Sequence, residues 1–210
     1  MDDPRISRRH LIGGAAAVPL AVALAACGGD GDGGDASTNA TTTARTEPDG
    51  SLAATPACDD GDEPTLEQTE GPYFLPDSPE RSSLIERGVR GTRLVVAGRV
   101  LDTGCRPLAR ALLDFWQADA DGEYDLDGFR LRGHQFSDGR GRFRLVTVVP
   151  GLYTGRTRHI HVKVQRPRGR VLTTQLYFRG EPANDSDGIF DPSLVMAGNR
   201  RSARFDFVLG

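Results

Sequence analysis

The chain has 210 residues, of which 38% are hydrophobic, and a formal net charge of −3. A charge this small gives no basis for a nucleic-acid partner, because phosphate backbones select strongly basic surfaces. The 26 Gly and 13 Pro indicate many turns. Few stretches after residue 90 keep a helical period, so the sequence predicts a β-rich folded part.

Residues 1–27 have the pattern of an export signal. Arg8 and Arg9 precede an apolar run over residues 11–26, which is short for a membrane-spanning helix and is broken by glycine and proline. The arginine pair resembles a twin-arginine signal, and the Leu-Ala-Ala-Cys ending at Cys27 resembles a bacterial lipoprotein box. An ordinary secretory peptide is the alternative. We expect an exported protein on the outer side of the cytoplasmic membrane or the cell surface, with a lipid on Cys27 as its membrane contact.

Residues 28–62 are rich in Gly, Asp, Thr and Ser and contain almost no large apolar side chain. Such a segment cannot offset the entropy lost on ordering, so we predict a disordered linker before a folded domain at 63–210. Once Cys27 is assigned to the lipid, Cys58 and Cys105 remain. An oxidising compartment favours a disulfide between them over a thiolate metal site, because neither lies in a C-x-x-C spacing.

The folded domain shows at least six apolar, alternating segments separated by Gly, Pro and Asp turns. This pattern predicts an all-β fold, a β-sandwich or barrel, with Trp116 in the core and a loop over residues 119–132. An extended arm packed on the body is predicted around residues 68–74. The predicted strands cover residues 93–101, 111–118, 142–149, 159–164, 172–178 and 204–209.

The sequence His159-Ile160-His161 lies at the start of one predicted strand. Residues two apart on a strand point to the same face, so both imidazoles project together while Ile160 and Val162 face the core. Two imidazoles make half of a metal site. No acidic residue follows within residues 163–166, which disfavours a site of two histidines and one carboxylate.

Tyr124 and Tyr153 are candidates for the other half of the site, because each lies near a glycine-containing turn. Two phenols and two imidazoles suit a hard, oxidised metal such as Fe(III), whose charge lowers the pKa of a phenol enough for it to bind as phenolate. The alternative for each tyrosine is a buried residue with a satisfied hydroxyl. Spacing by itself leaves both open.

Four segments together carry a family resemblance: TEGPYFLPDS, LDFWQADADGEYD, LRGHQFSDGRGRFRLVTVVPGLYTGRTRHIHVKV and LTTQLYF. They resemble the intradiol ring-cleavage dioxygenases, the group of catechol 1,2-dioxygenase and protocatechuate 3,4-dioxygenase, over most of residues 64–190. Members are β-sandwich proteins with mononuclear non-haem Fe(III). The resemblance implies metal ligands at Tyr124, Tyr153, His159 and His161, with Tyr153 as the phenolate that substrate displaces.

The same resemblance implies that Arg156 and Gln175 act on the substrate, Arg156 by stabilising negative charge that develops on the ring. The implied reaction cleaves a small aromatic diol with O₂ to a cis,cis-muconate-type diacid. Tyr73 and Tyr177 match no ligand position and are interpreted as packing or pocket-wall residues. In place of the helical dimerisation region or partner subunit of cytoplasmic members, this chain has the signal and linker, so no oligomeric state is predicted.

Two other classes of function stay open on the sequence. One is a non-catalytic surface binding module built on the same sandwich. The other is a zinc hydrolase that uses the His-x-His pair with a third ligand, for which His134 is the available histidine. We interpret His134 instead as a surface or turn residue.

Overall fold

The computed structural model describes residues 63–153 and 155–210. The predicted signal at 1–27, the predicted linker at 28–62 and the cysteines within them lie outside these residues. Cys105 is disulfide-bonded, and its predicted partner, Cys58, lies outside the described residues. No helix in the described part of the chain is long and apolar enough to cross a membrane.

The described residues form nine β-strands and two short 3₁₀ helices. The 3₁₀ helices cover Pro182–Ser186 and Pro192–Leu194. In chain order the strands are β1 (Arg93–Asp102), β2 (Leu112–Trp116), β3 (Arg132–Phe136), β4 (Arg142–Val148), β5 (His159–Gln165), β6 (Val171–Tyr177), β7 (Ala197–Gly198), β8 (Ser202–Arg204) and β9 (Phe207–Leu209).

The strands form two sheets. One has the order β4-β1-β8-β7, with β9 also paired to β1, and the other has the order β3-β2-β5-β6. Their facing sides supply a single hydrophobic cluster, which includes Val96, Leu145, Phe115, Ile160 and Val162. Alternating apolar side chains on both sheets are what a sandwich requires, and the predicted all-β sandwich is confirmed.

Two strand predictions were wrong in detail. Strand β3 was not among the predicted strands, because its core-facing positions, opposite Phe115 and Leu113, are Gly133 and Gln135 and give no apolar alternation. The predicted strand at 204–209 is two strands, β8 and β9. The chain breaks there because the Asp206 carboxylate accepts the Arg99 backbone N–H at 2.8 Å, in place of a backbone carbonyl.

The predicted arm before β1 is confirmed and lies along the four-stranded sheet. The backbone N–H of Gln68 donates to Thr173 in β6 at 2.8 Å, and Thr174 Oγ1 donates to the Leu66 carbonyl at 2.7 Å. The arm thereby covers the edge strand β6. It also carries Tyr73 over the sheet face that points away from the core, here called the outer face.

Candidate active site

A row of four side chains crosses the outer face. Arg132, Trp116, His161 and Gln175 are register partners on β3, β2, β5 and β6. Since Ile160 and Val162 belong to the core cluster, the alternation of β5 puts His159 and His161 on the opposite side. Both ends of the row hold the arm: Gln175 Nε2 donates to Thr69 O at 3.0 Å and Arg132 Nη1 to Tyr73 O at 2.6 Å.

The predicted imidazole pair is present and buried. The Nε2 atoms of His159 and His161 lie 3.1 Å apart. His159 Nδ1 donates to the Thr157 carbonyl at 2.7 Å, so its Nε2 carries the lone pair that faces the site. Burial lowers the pKa of His159 to about 4 and that of His161 well below its ordinary value. Both rings are therefore neutral near pH 7, which is the form that binds metal.

Trp116 is fully buried but does not belong to the core between the sheets, which corrects the prediction made for it. Its ring stacks on His161, with centroids 4.8 Å apart and an interplanar angle of 8°. Phe74 of the arm packs edge-on against Trp116 at 4.9 Å. The indole therefore fixes the orientation of the His161 ring and forms a wall of the site.

Tyr124 joins the imidazole pair from the loop after β2. Its hydroxyl lies 3.3 Å from His159 Nε2, and burial raises the pKa of this phenol. The loop that carries Tyr124 and the loop that carries Tyr153 touch through two glycines: a Cβ on Gly122 would lie 2.2 Å from Leu152 O, and one on Gly151 would lie 2.2 Å from Gly122 N. Only residues without a side chain allow this approach.

Tyr153 lies in the same aromatic cluster. Its ring is edge-on to Tyr124, with centroids 6.0 Å apart, and its hydroxyl lies 2.7 Å from the hydroxyl of Tyr73. Tyr73 in turn stacks on Tyr124 at 4.4 Å. Tyr73, interpreted from the sequence as a packing or pocket-wall residue, lines a small cavity and is also a direct partner of Tyr153. The signal for it in the sequence was an aromatic residue in a turn-forming arm.

Arg156 lies beside this cluster and is held by three side chains. Its Nε donates to Asp187 at 2.9 and 3.1 Å, and its Nη2 donates to Gln175 Oε1 at 2.6 Å. Tyr177 is 3.4 Å from the same Nη2. The structure therefore brings Arg156 and Gln175 together, as predicted. Asp187, thirty-one residues after Arg156, had no signal in the sequence.

The donor set fits a metal ion. The hydroxyl of Tyr124 and the Nε2 atoms of both histidines converge. Within residues 63–153 and 155–210, no group of three or more His, Cys, Asp and Glu side chains could hold a metal ion. The third ligand that a zinc hydrolase needs is thus absent from the described residues. His134, the histidine considered for that role, instead donates its Nδ1–H to the Ser78 carbonyl at 2.6 Å. Phenol oxygens and neutral imidazoles are instead ligands that Fe(III) accepts.

Two cavities open beside Tyr153. One, of about 160 Å³, is lined by Tyr73, Gly122, Glu123, Tyr124, Leu126, Leu152 and Tyr153. The other, of about 350 Å³, is lined by Leu152, Tyr153, Gly155, Arg156, Ala183 and Ser186. Leu126 and Leu152 are 59% and 52% exposed and form an apolar rim. The larger cavity, which has Tyr153 and Arg156 in its lining, has the volume of a site for a small molecule.

Residues 69–195 match a family model described as "Dioxygenase". The solved dioxygenase domain of a dioxygenase carbohydrate-binding protein fusion from Streptomyces sp. SirexAA-E is 58% identical, with a TM-score of 0.67, and the match covers 70% of this chain and 98% of that one. The 3-chlorocatechol 1,2-dioxygenase of Rhodococcus opacus 1CP is 31% identical, with a TM-score of 0.63 and coverage of 70% and 72%.

Among curated proteins, the protocatechuate 3,4-dioxygenase beta chain of Burkholderia cepacia is 37% identical over 133 residues, which are 55% of this chain and 57% of that one. The chain spans 54% to 62% of the length of the first curated relatives that it matches. The family model covers more than half of the chain, and the strands, the arm and the site all lie within or next to it. The chain belongs to the intradiol ring-cleavage dioxygenase family.

Proposed function

We propose that this protein cleaves a catechol between its two hydroxyl-bearing carbons with O₂, using Fe(III) held by Tyr124, Tyr153, His159 and His161. The observation that carries the proposal is the convergence of the Tyr124 hydroxyl and the two Nε2 atoms, 3.3 and 3.1 Å from one to the next. Tyr153 lies against Tyr124 and completes a set of two phenols and two imidazoles. Membership of the family supports the same assignment.

Bound Fe(III) would draw electron density from a chelating catecholate and so make the ring reactive towards O₂. The side chains of the protein would handle the protons of the substrate. A catechol must lose two protons to chelate. Tyr153 as phenolate would accept one of them at Oη and become a neutral phenol, and the other would pass to solvent. Once protonated, that hydroxyl has a partner in Tyr73 Oη, 2.7 Å away. Tyr73 therefore offers Tyr153 a stable position in which its oxygen is satisfied without the metal.

Arg156 supplies a fixed positive charge next to the ring. Its Nε and Nη2 are held by Asp187 and Gln175, and Arg156 lines the larger cavity. A charge held in place beforehand stabilises negative charge that develops on the ring without any cost of reorganisation during the reaction. Replacing Arg156 with Ala should leave iron binding intact and lower kcat on the order of 10²-fold.

The rim favours an uncharged catechol. Leu126 and Leu152 are apolar, and Glu123 is the acidic residue in the smaller cavity. The lining of that cavity contains no Lys or Arg. A ring carboxylate directed into it would therefore meet Glu123 and no cation. We propose alkyl- or halogen-substituted catechols as better substrates than protocatechuate.

Oxygen consumption by the iron-loaded full-length protein tests the function. Catechol, 4-methylcatechol, a chlorocatechol and protocatechuate should each be assayed, with the product identified by mass as substrate plus two oxygen atoms. The loaded protein should be burgundy, because phenolate-to-Fe(III) charge transfer absorbs visible light. A protein that holds stoichiometric iron, stays colourless and consumes no oxygen with any member of the panel refutes the proposal.

We also propose that the protein is exported and anchored by a lipid on Cys27. The arginine pair and the Leu-Ala-Ala-Cys sequence support this placement. Metabolic labelling with a fatty acid should mark the wild-type chain and not the Cys27→Ser variant. Equal labelling of the two contradicts the anchor.

A further inference from the structure

Asp187 is a buried carboxylate that collects three donors. Its side chain is 1% exposed. It accepts the Arg156 Nε–H at 2.9 and 3.1 Å, the Thr157 backbone N–H at 2.9 Å and the Ile189 backbone N–H at 3.1 Å. A charged group this deeply buried is stabilised only when each of its oxygens has partners, and here both do.

The contact with Arg156 fixes where the guanidinium can point. The Nε edge is taken by Asp187, and Nη2 is taken by Gln175. Among the described residues, Nη1 is the guanidinium nitrogen with no protein partner. Because a guanidinium is rigid and planar, holding two of its nitrogens determines the direction of the third. Arg156 lines the larger cavity, so the unpartnered nitrogen is the one available to a bound ring.

The contact with Thr157 reaches the histidine pair. Thr157 is fully buried, and all of its polar groups are used. Its N–H donates to Asp187, its Oγ1 donates to Asn184 Oδ1 at 2.6 Å, and its carbonyl accepts the His159 Nδ1–H at 2.7 Å. Asp187 Oδ2 accepts from both Arg156 and Thr157. One carboxylate oxygen therefore fixes the position of the Arg156 guanidinium relative to Thr157, whose carbonyl orients His159.

We propose that Asp187 is the positioning residue for Arg156 in the ring-cleavage reaction, an inference that rests on the function proposed above. It does not touch the reacting ring. It holds the guanidinium in the one orientation that leaves Nη1 towards the cavity, and it ties that orientation to the strand that carries the histidines. The rate of the chemical step depends on Asp187 through Arg156.

The carboxylate is required because every partner of Asp187 is a donor. An asparagine keeps one acceptor oxygen but brings an amide N–H₂, which faces the Arg156 Nε–H together with the backbone N–H of either Thr157 or Ile189. One of those N–H groups then loses its partner inside the protein, and the guanidinium loses the charge that held it. We expect kcat of the Asp187→Asn variant to fall on the order of 10- to 100-fold with KM changed far less.

A double-mutant cycle on the iron-loaded full-length protein tests this dependence. The kcat of Asp187→Asn, Arg156→Ala and the double variant should be compared with the wild type. If Asp187 acts through Arg156, the double variant is as slow as Arg156→Ala and no slower. Multiplying effects in the double variant, or wild-type kcat in Asp187→Asn, overturns the proposal while leaving the dioxygenase function standing. No ring cleavage by the wild type refutes the function itself.

Glu181→Gln is the matched control. Glu181 is also buried, lies in the same segment and pairs with Arg158 at 3.2 Å, so it reports the general cost of removing a buried carboxylate. It should lose comparable stability and keep kcat near the wild type. Asp187→Glu keeps the charge and should recover part of the lost rate. If Asp187→Asn does not fold, Asp187→Glu with and without Arg156→Ala carries the same cycle. Iron content and the visible band should be unchanged in every folded Asp187 variant.

Discussion

The hydroxyl oxygens of Tyr73 and Tyr153 lie 2.7 Å apart, although eighty residues separate them in the chain. Tyr73 also stacks on Tyr124 at 4.4 Å, so one arm residue contacts both phenols of the proposed iron site. Tyr73 is not itself near an imidazole nitrogen in any described contact. The Tyr73 hydroxyl therefore acts on Tyr153, through the hydrogen bond between their hydroxyl groups.

The Tyr73→Phe variant isolates that hydrogen bond. The ring remains to stack on Tyr124, while Tyr153 loses the partner that would receive its hydroxyl when substrate binds. We expect iron content and colour to match the wild type and kcat/KM for catechol to fall on the order of tenfold, the effect of one lost hydrogen bond. Single-turnover kinetics with catechol measure the step directly. Loss of iron in this variant contradicts the assignment and makes Tyr73 a structural residue of the metal site.

The neutral histidine pair makes the iron-free protein sensitive to mild acid. Burial lowers the pKa of His159 from 6.5 to about 4, so between these pH values the unfolded chain binds a proton that the folded chain does not. The free energy of unfolding is therefore highest above pH 6.5 and falls as the pH drops towards 4. His159 accounts for about 3 kcal/mol of this loss. His161, whose pKa is also lowered by burial, adds to the loss in the same direction.

Urea unfolding of iron-free protein at pH 7, 6 and 5 measures this slope. The range avoids Asp138, whose pKa is lowered to about 2 by its bond to Arg142. A variant with Gln in place of both His159 and His161 should lose most of the pH dependence between 7 and 5. If the slope is the same in both proteins, the histidines are not its source.

Arg132 is a buried cation that joins the arm to the Tyr124 loop. It is 1% exposed, and its guanidinium donates to the carbonyls of Tyr73 at 2.6 Å and Asp125 at 2.7 Å. The Arg132→Met variant fills similar space but leaves both carbonyls without a donor, each costing about 1–3 kcal/mol. We expect a loss of about 3 kcal/mol in the free energy of unfolding, measured in urea.

Arg90→Met is the control for that substitution. The side chain of Arg90 is 86% exposed and meets Asp121 at 3.3 Å on the surface, and such pairs contribute little. Its stability should stay within about 0.5 kcal/mol of the wild type. Equal losses in the two variants contradict the role assigned to Arg132.

The sequence predicted the strands that alternate and missed the elements whose residues serve the site. Strand β5 shows its period because Ile160 and Val162 enter the core. Strand β3 does not, because its core-facing positions, opposite Phe115 and Leu113, are Gly133 and Gln135. Arg132 and His134 lie on its other face, where they bond to residues that precede β1. Contacts such as that between Tyr73 and Tyr153 depend on the path of the arm, which local pattern does not encode.

The candidate site divides in the same way. The His-x-His pair follows from strand geometry, and its two Nε2 atoms do face each other. Glycine-containing turns made Tyr124 and Tyr153 candidates but left both open, and the family resemblance selected them. Arg156 and Gln175 came from the resemblance. Asp187 came from neither. A carboxylate in an irregular segment after a 3₁₀ helix carries no periodic signal, and its function exists only once the segment folds onto Thr157.

Gly151 sets the distance between the two loops that carry the phenols. An added Cβ would lie 2.2 Å from Gly122 N and 2.7 Å from Ala120 O, both backbone atoms that cannot move aside independently. The Gly151→Ala variant must therefore push the Tyr153 loop away from the Tyr124 loop. We expect a loss of about 1–3 kcal/mol in stability, as for other overpacked sites, together with reduced iron content and a weaker visible band.

Gly139→Ala is the matched control, because a Cβ there meets nothing within 4 Å. It should keep iron, colour and stability. Full iron and colour in Gly151→Ala would mean that the two phenols need not be held at this separation, and the four-ligand assignment would lose its geometric basis.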